Sequence, residues 1–269
     1  MNIGRSINEP TASPTGDEPV SRAELMNSAR ALEQNGQYGQ AHSMLQRCEK
    51  LLVADGSDDA LSMSVKAWLW RLAPLWWANL QHGGITLRRC RPEDADFFQK
   101  CFANEQFCRQ FNRQWPWNGP LDMALDKAGK LPPIQTRTLM WVVHSGKVGP
   151  IGLASFSNID TQNRRAELAI GFPGHVPTSL GIKTTLMMLH FALVMMPFNK
   201  VYAYLYEDNP QALHNALRLG FVHEGKLKDH FNIAGHGFVS VDVIGLTRSQ
   251  IAANSKLKIL VKRKIGQDW

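Results

Sequence analysis

Three β-type segments follow one another between Leu139 and Phe172 with almost nothing between them: LMWVVHS (139–145), GPIGLASFSNI (149–159) and RRAELAIGF (164–172). Turns this short suit antiparallel neighbours, so a meander is fixed in the middle of the chain. The next element is a helix of about 16 residues from near Leu180, apolar nearly all round, which must be covered on most sides. KVYAYLYE (200–207) then reads as a β-branched and aromatic strand. NPQALHNALRLG (209–220) is a helix, with Asn209 as cap, Pro210 in the first turn and Gly220 past the end. Residues 223–246 form a hairpin turning at Ala234-Gly235 or His236-Gly237. Upstream, ITLRRC (85–90) is a strand, and PEDADFFQKCFAN and EQFCRQFNR are helices, the first with acidic residues in its opening turn. The order is strand, two helices, three strands, helix, strand, helix, two strands. It predicts an α/β (α+β) fold with a mixed, mostly antiparallel sheet flanked by helices.

The rest of the chain reads differently. Residues 1–20 are rich in Pro, Ser, Thr and Gly and are expected to be mobile. Ser21 with Glu24 forms a capping box, and two helices follow, broken near Asn35-Gly36. Gly36, Tyr38, Ala41, Leu45 and Cys48 sit where a tetratricopeptide repeat places its glycine, aromatic, small and bulky residues, so residues 21–82 resemble a helical segment of that kind. A single repeat cannot bury its own face, which makes this segment a possible docking surface for a protein partner. A third helix is predicted from Asp58 to about Leu80, carrying Trp68, Trp70, Trp76 and Trp77, with QHGG (81–84) as a junction. The Trp-rich stretch reads as a hydrophobic seam, a partner surface or a membrane-interface anchor. Residues 249–269 form a basic tail, read as a solvated amphipathic end.

Composition narrows the chemistry. A hydrophobic share of 44% supports a sizeable core. The net charge of +7 suits an anionic ligand, nucleic acid or an acidic membrane without choosing among them. The four cysteines make no CxxC pair and have no nearby His-x3–5-His, so no metal site is expected. No transmembrane segment or secretory signal is read, and a cytoplasmic protein with reduced thiols is expected.

Residues 85–248 resemble the GNAT N-acetyltransferases, within them the RimJ/RimL branch that acetylates ribosomal proteins. The resemblance rests on TLRRCRPEDADFF, on EDNPQALHNALRLGFVHEGKLKDHF and on FVSVDVIGLTRS. It implies a GNAT-type sheet splayed between its fourth and fifth strands, with acetyl-CoA as co-substrate in the opening. It also implies backbone donors around Ala169, Ile170 and Gly171, and a pyrophosphate held at the next helix start by Ser179, Leu180, Gly181, Ile182, Lys183 and Thr184. The family's glycine-rich pattern would fall on Val176, Ser179 and Gly181, and only Gly181 fits, so the phosphate loop reads as degenerate. Asn209 matches a CoA-contacting asparagine and equally a plain helix cap.

Acetyl transfer to an amine needs a neutral nitrogen beside the thioester, a donor for the oxyanion and an exit for the thiolate. Glu167 matches an acidic position of the RimJ/RimL branch and is the candidate base. Its alternative is a sheet-edge carboxylate paired with Arg164 or Arg165. Relatives carry a tyrosine acid where this chain has Ala216, and His214 lies close by in sequence as a second catalytic candidate. Trp115, Trp117 and His230 are candidates for lining the acceptor side. The function so implied is acetyl-CoA-dependent N-acetylation of an amine on a protein, a small molecule or an aminoacyl-tRNA. The alternatives are a degenerate GNAT fold serving as a binding or regulatory module, and an acyltransferase that takes longer acyl-CoA donors.

Overall fold

The computed structural model describes residues 20–56, 60–111, 119–146, 148–233 and 235–269, with the backbone alone of Arg109 and Gln110. The predicted mobile lead, apart from Val20, lies outside the described residues, as do Trp115 and Trp117. The chain forms two compact units, residues 1–69 and 70–269.

In the first unit Ser21 caps α1 (Arg22–Gln34): its backbone N–H donates to the Glu24 carboxylate at 2.8 Å, and its hydroxyl accepts from the Glu24 N–H. Gly36, at φ 73°, reverses the chain into α2 (Tyr38–Ala54). Ala29 and Ala41 are fully buried, as small residues must be where two helices approach closely. Leu25, Cys48 and Leu52 close a small core with Val65 of α3 (Ala60–Arg71). Trp68 donates its indole N–H to Glu33 at 2.7 Å.

The predicted helix from Asp58 to Leu80 is shorter than expected. Pro74 has no N–H to give and pushes Ala73 to φ −54°, ψ 128°, so α3 stops at Arg71. A 3-10 turn, Pro74–Trp77, follows. The expected junction is a strand, β1 (Leu80–His82), joined to β2 (Ile85–Arg89) through Gly83 and Gly84 at φ 55° and 79°.

The remaining strands are β3 (Leu139–Ser145), β4 (Gly149–Asp160), β5 (Arg165–Gly171), β6 (Lys200–Tyr206), β7 (Val222–Ile233) and β8 (Gly237–Thr247). Among the described residues they form one sheet in the order β1-β2-β3-β4-β5-β6-β8-β7. Every neighbouring pair is antiparallel except β5 and β6. The mixed, mostly antiparallel sheet is therefore as the sequence predicts.

Strand alternation sorts the two faces. Trp141, Phe156, Leu168, Val201 and Ile244 point to one side and share a core with α8 (Thr178–His190) and α11 (Ser255–Ile265). Trp76 joins this core, meeting Phe191 and Phe198 edge-on at 5.9 and 6.0 Å. Met140, Val142 and Leu153 point to the other side, onto Phe98 of α4 (Ala95–Phe102), Phe107 of α5 (Glu105–Gln110) and Leu125 of α6 (Leu121–Lys130). α6 and the short α7 (Pro133–Thr136) occupy a stretch for which the sequence pattern gave no element.

Two further expectations change. α8 runs on as a π-helical turn, Phe191–Met195, so Thr178–Met195 is long and apolar enough to cross a membrane by length and composition. Its Leu186, Met188, Leu189 and Phe191 are buried in the main core of the sheet. The basic tail is amphipathic, as expected, but it is folded and only one of its faces is solvated. It folds into α10 (Arg248–Ala253) and α11, and Leu257, Val261 and Ile265 bury one stripe of α11 while Lys256, Lys262 and Arg263 stay exposed.

Candidate active site

α8 carries the chain from the end of β5 back to the start of β6, which makes those two strands parallel. They pair at only three rungs: Arg165 with Lys200, Ala166 with Val201, and Glu167 with Tyr202. Beyond that, Leu168–Gly171 stay paired to β4 on one side and Ala203–Tyr206 to β8 on the other, but not to each other. The sheet splits into a wedge at the carboxyl ends of its two parallel strands. In a pleated strand successive residues turn their N–H and C=O groups to opposite edges, so part of Ala169–Gly171 presents backbone donors and acceptors to the gap. Each strand then runs into a helix start, at Thr178 of α8 and at Pro210 of α9 (Pro210–Arg218). A crevice beyond the carboxyl ends of adjacent parallel strands, flanked by helix N-termini, is the usual seat of a phosphate-bearing ligand in such sheets.

The loop before α8 reaches this arrangement without its glycines. No residue from Phe172 to Gly181 has a positive φ. Pro177, extended at ψ 134°, opens the helix and accepts a hydrogen bond from the Leu180 N–H at 2.8 Å. Ser179 sits in the first helical turn and needs no glycine-like conformation. A Cβ on Gly181 would lie 3.7 Å from the Phe172 ring, an ordinary contact. The side chains around it are engaged elsewhere. Leu180 and Ile182 pack on the main core, Thr184 is fully buried with its hydroxyl donating to the Leu180 carbonyl at 3.0 Å, and Lys183 Nζ lies 3.5 Å from where a Gly83 Cβ would be. What this segment offers an anion is therefore the first-turn N–H groups of Thr178 and Ser179, since that of Leu180 is bonded to Pro177.

Glu167 stands at the last shared rung before the strands part. Its carboxylate does not pair with Arg164 or Arg165. It accepts a hydrogen bond from Asn158 Nδ2 at 2.8 Å, while Arg165 bonds Asp160 at 3.3 Å. Asn158 reaches it because β4 is irregular between Ser157 and Asp160 and Asn158 takes φ 49°. Burial pushes the Glu167 carboxyl above the usual carboxylate range, and the Asn158 bond partly offsets this. Tyr202 is pushed up to about 12, first by burial and then by the Glu167 charge, and Tyr204 is raised by the same two influences.

Asn209 caps α9, its Oδ1 accepting from the Ala212 N–H at 3.2 Å. His214 is exposed on α9, whereas Leu213 and Ala216 pack on the core, so it points off the packed face. His230 lies on β7 with its ring 5.3 Å from that of Tyr204. The structure thus gathers Glu167, Ala169–Gly171, the α8 start and Asn209 around one wedge. Asn158 and Tyr204 were not foreseen. Asn158 carried no sequence signal, since only the irregularity in β4 turns its amide toward Glu167.

Residues 85–222, more than half the chain, match the sequence model of a family described as acetyltransferase (GNAT) domain. A search of curated protein sequences gave no match. Among solved structures, spermidine N-acetyltransferase from Vibrio cholerae in complex with CoA and spermine is 22% identical, with a TM-score of 0.54 over 63% of this chain and 98% of its own. A dodecameric structure of spermidine N-acetyltransferase from the same organism is 24% identical, with a TM-score of 0.53 over 64% of this chain and 98% of its own. At these identities the likeness is one of fold. The split sheet, the helix starts beside it and the matched residues agree: the chain belongs to the GNAT acetyltransferase family.

Proposed function

We propose that this protein, an acetyl-CoA-dependent N-acetyltransferase by its family, transfers acetyl at the β5/β6 wedge with Glu167 as the base. The observation that carries this reading is the end of β5/β6 pairing at Glu167 and Tyr202. Acetyl-CoA supplies an activated acyl thioester. The chain's own residues do the rest. Unpaired backbone groups of Ala169–Gly171 hold the thioester arm and its developing oxyanion, and the first-turn N–H groups of α8 take the pyrophosphate. Asn209 reaches the arm from the start of α9. The acceptor arrives as an ammonium, because an alkylamine is almost wholly charged at neutral pH. Glu167 takes one of its protons, and the freed lone pair forms the N–C bond as the C–S bond breaks. The thiolate leaves as CoA, whose ordinary thiol pKa of about 8.5 lets it depart without the acid missing at Ala216. A second proton leaves the new amide and the thiolate takes one up.

The acceptor is an amine. The RimJ/RimL resemblance puts protein N-termini among the candidates, and the fold neighbours named as spermidine N-acetyltransferases add polyamines. The test is thermal unfolding with acetyl-CoA, followed by thiol release with and without acceptor. A ligand bound at 100 times its Kd stabilises the fold by about 2.7 kcal/mol, a shift of several degrees. A shift plus acceptor-dependent thiol release is the expected result. Saturating acetyl-CoA with no shift would instead make the fold a binding module, and preference for a fatty acyl-CoA would change the donor.

A further inference from the structure

Beside Glu167 the sheet carries a row of aromatic rings that the acetyl donor does not account for. Lys200, Tyr202, Tyr204 and Tyr206 alternate to one face of β6, the face on which Glu167 stands at its rung with Tyr202. Tyr202 meets Tyr204 edge-on at 5.6 Å. Tyr204 meets Phe231 edge-on at 5.6 Å and His230 at 5.3 Å, and Phe231 continues to Tyr206 at 6.2 Å. β7 reaches Tyr204 because its pairing with β8 is interrupted between Leu227 and Phe231, where Asp229 takes φ 49° and its N–H donates to Ser240 Oγ at 3.1 Å. The row therefore leads from the carboxylate along the part of β6 that borders the gap and over β8 to β7. Tyr202, Tyr204, Tyr206 and Phe231 are half-buried and His230 is exposed, so the row is a surface and not a core.

Two features say what such a surface takes. Ring faces carry partial negative charge and attract ammonium groups within about 6 Å, most strongly where water is partly excluded. The carboxylate at the head of the row adds a full negative charge. The other carboxylates on this face are already paired: Glu224 folds over Gly245 and is held by Lys200 Nζ at 2.6 Å, and Asp160 is held by Arg165 at 3.3 Å, while Glu167 takes its hydrogen bond from Asn158.

We propose that the row Tyr202–Tyr204–Phe231–His230 is the acceptor subsite, that it selects primary alkylammonium acceptors carried on an aliphatic chain, and that Tyr204, at its centre, is the specificity-determining residue. The inference rests on the acetyltransferase reading, since Glu167 gives the row its direction. The chemistry is shared by a free polyamine and by the side chain of a lysine in a protein, and the test separates the two.

The experiment is steady-state thiol release by the full chain with acetyl-CoA and four acceptors: spermidine, Nα-acetyl-lysine methylamide, a lysine-free peptide with a free N-terminus, and an arylamine. Wild type is expected to favour one or both alkylammonium acceptors, spermidine marking a small-molecule source and the lysine amide a protein source. Tyr204→Leu should raise the acceptor KM by about 2- to 30-fold, the range of a cation–π contact, without raising the KM of acetyl-CoA. Tyr204→Phe, which keeps the ring, should recover most of that loss. Preference for the arylamine or the N-terminal peptide overturns the proposal, as does a Leu variant no worse than the Phe variant, or a loss that falls on acetyl-CoA. No thiol release with any acceptor and no acetyl-CoA-induced stabilisation overturns the enzymatic reading beneath it, a result distinct from the others.

Discussion

Glu167 is held in place by one short polar contact and by its burial, and these pull its protonation in opposite directions. As the base it must be ionised, so kcat/KM should fall on acidification through a pKa above the ordinary carboxylate range. Glu167→Gln should lower kcat by about 100-fold or more, the usual contribution of a positioned base, and leave the acetyl-CoA-induced shift intact. Asn158→Gly suits the φ of 49° and removes the hydrogen bond that lowers the carboxyl pKa. Its acid limb should move to higher pH with a similar plateau, which marks Asn158 as a positioning residue. Stability runs the other way. A raised carboxyl holds its proton in the native state after the unfolded chain has released it. The native state therefore loses stability as pH rises from the unfolded pKa through the folded one. Gln carries no such loss, so Glu167→Gln should melt higher than wild type at neutral pH, and the gap should close below about pH 4.5. Equal kcat in wild type and Glu167→Gln would leave the carboxylate a structural one.

At the scale of elements, Phe172 lies between Gly152 of β4 and Gly181 of α8. A Cβ on Gly152 would come within 2.5 Å of its ring and 2.6 Å of the Gly171 carbonyl, whereas one on Gly181 clears the same ring by 3.7 Å. Gly152→Ala must push β4 from the end of β5 and should cost about 1–3 kcal/mol, read as a lower melting temperature. Gly181→Ala fits a helix and should hold or raise it, by up to about 1 kcal/mol. If backbone there approaches a pyrophosphate closely, the alanine should weaken the acetyl-CoA-induced shift even as the free protein gains stability. An unchanged shift would place the phosphates elsewhere. The same elements show what the sequence made legible. Each strand of the central meander and the α9 caps were readable, because period and punctuation are local. β1, α6 and α7 were not, because Leu80–His82 is too short to show a period and pairs only through the Gly83-Gly84 turn. The loop before α8 is a different case. A glycine pattern reports a need for positive φ, and here Pro177 sets the helix start without one. Tyr202 and Tyr204 read only as strand residues, since their shared face with Glu167 depends on pairing across sequence.

For the molecule as a whole, the compact acetyltransferase unit begins before the residues that the family model matches. The match starts at residue 85, but the unit starts at Trp70. Trp76 is fully buried against Phe191 and Phe198, and Trp70 meets Phe198 edge-on at 5.5 Å. Arg89 is buried as well, its guanidinium donating to the Trp76 carbonyl at 2.9 Å and to the carbonyls of Ala128 and Leu131. Burial lowers its pKa to about 10, which still leaves it charged at neutral pH. A chain starting at residue 84 would lose the Trp76 side chain, a change of the kind that costs about 3–5 kcal/mol, and would strip a buried cation of one acceptor. That sum approaches the whole stability of an ordinary domain. A chain starting at Leu69 keeps both. The longer fragment should therefore melt cooperatively and gain stability from acetyl-CoA, while the shorter one should be insoluble or melt without a transition. A cooperative transition in the fragment from residue 84 would mean that the sheet folds without the Trp76 anchor. Failure of both fragments would make the helical unit a partner in folding the catalytic one.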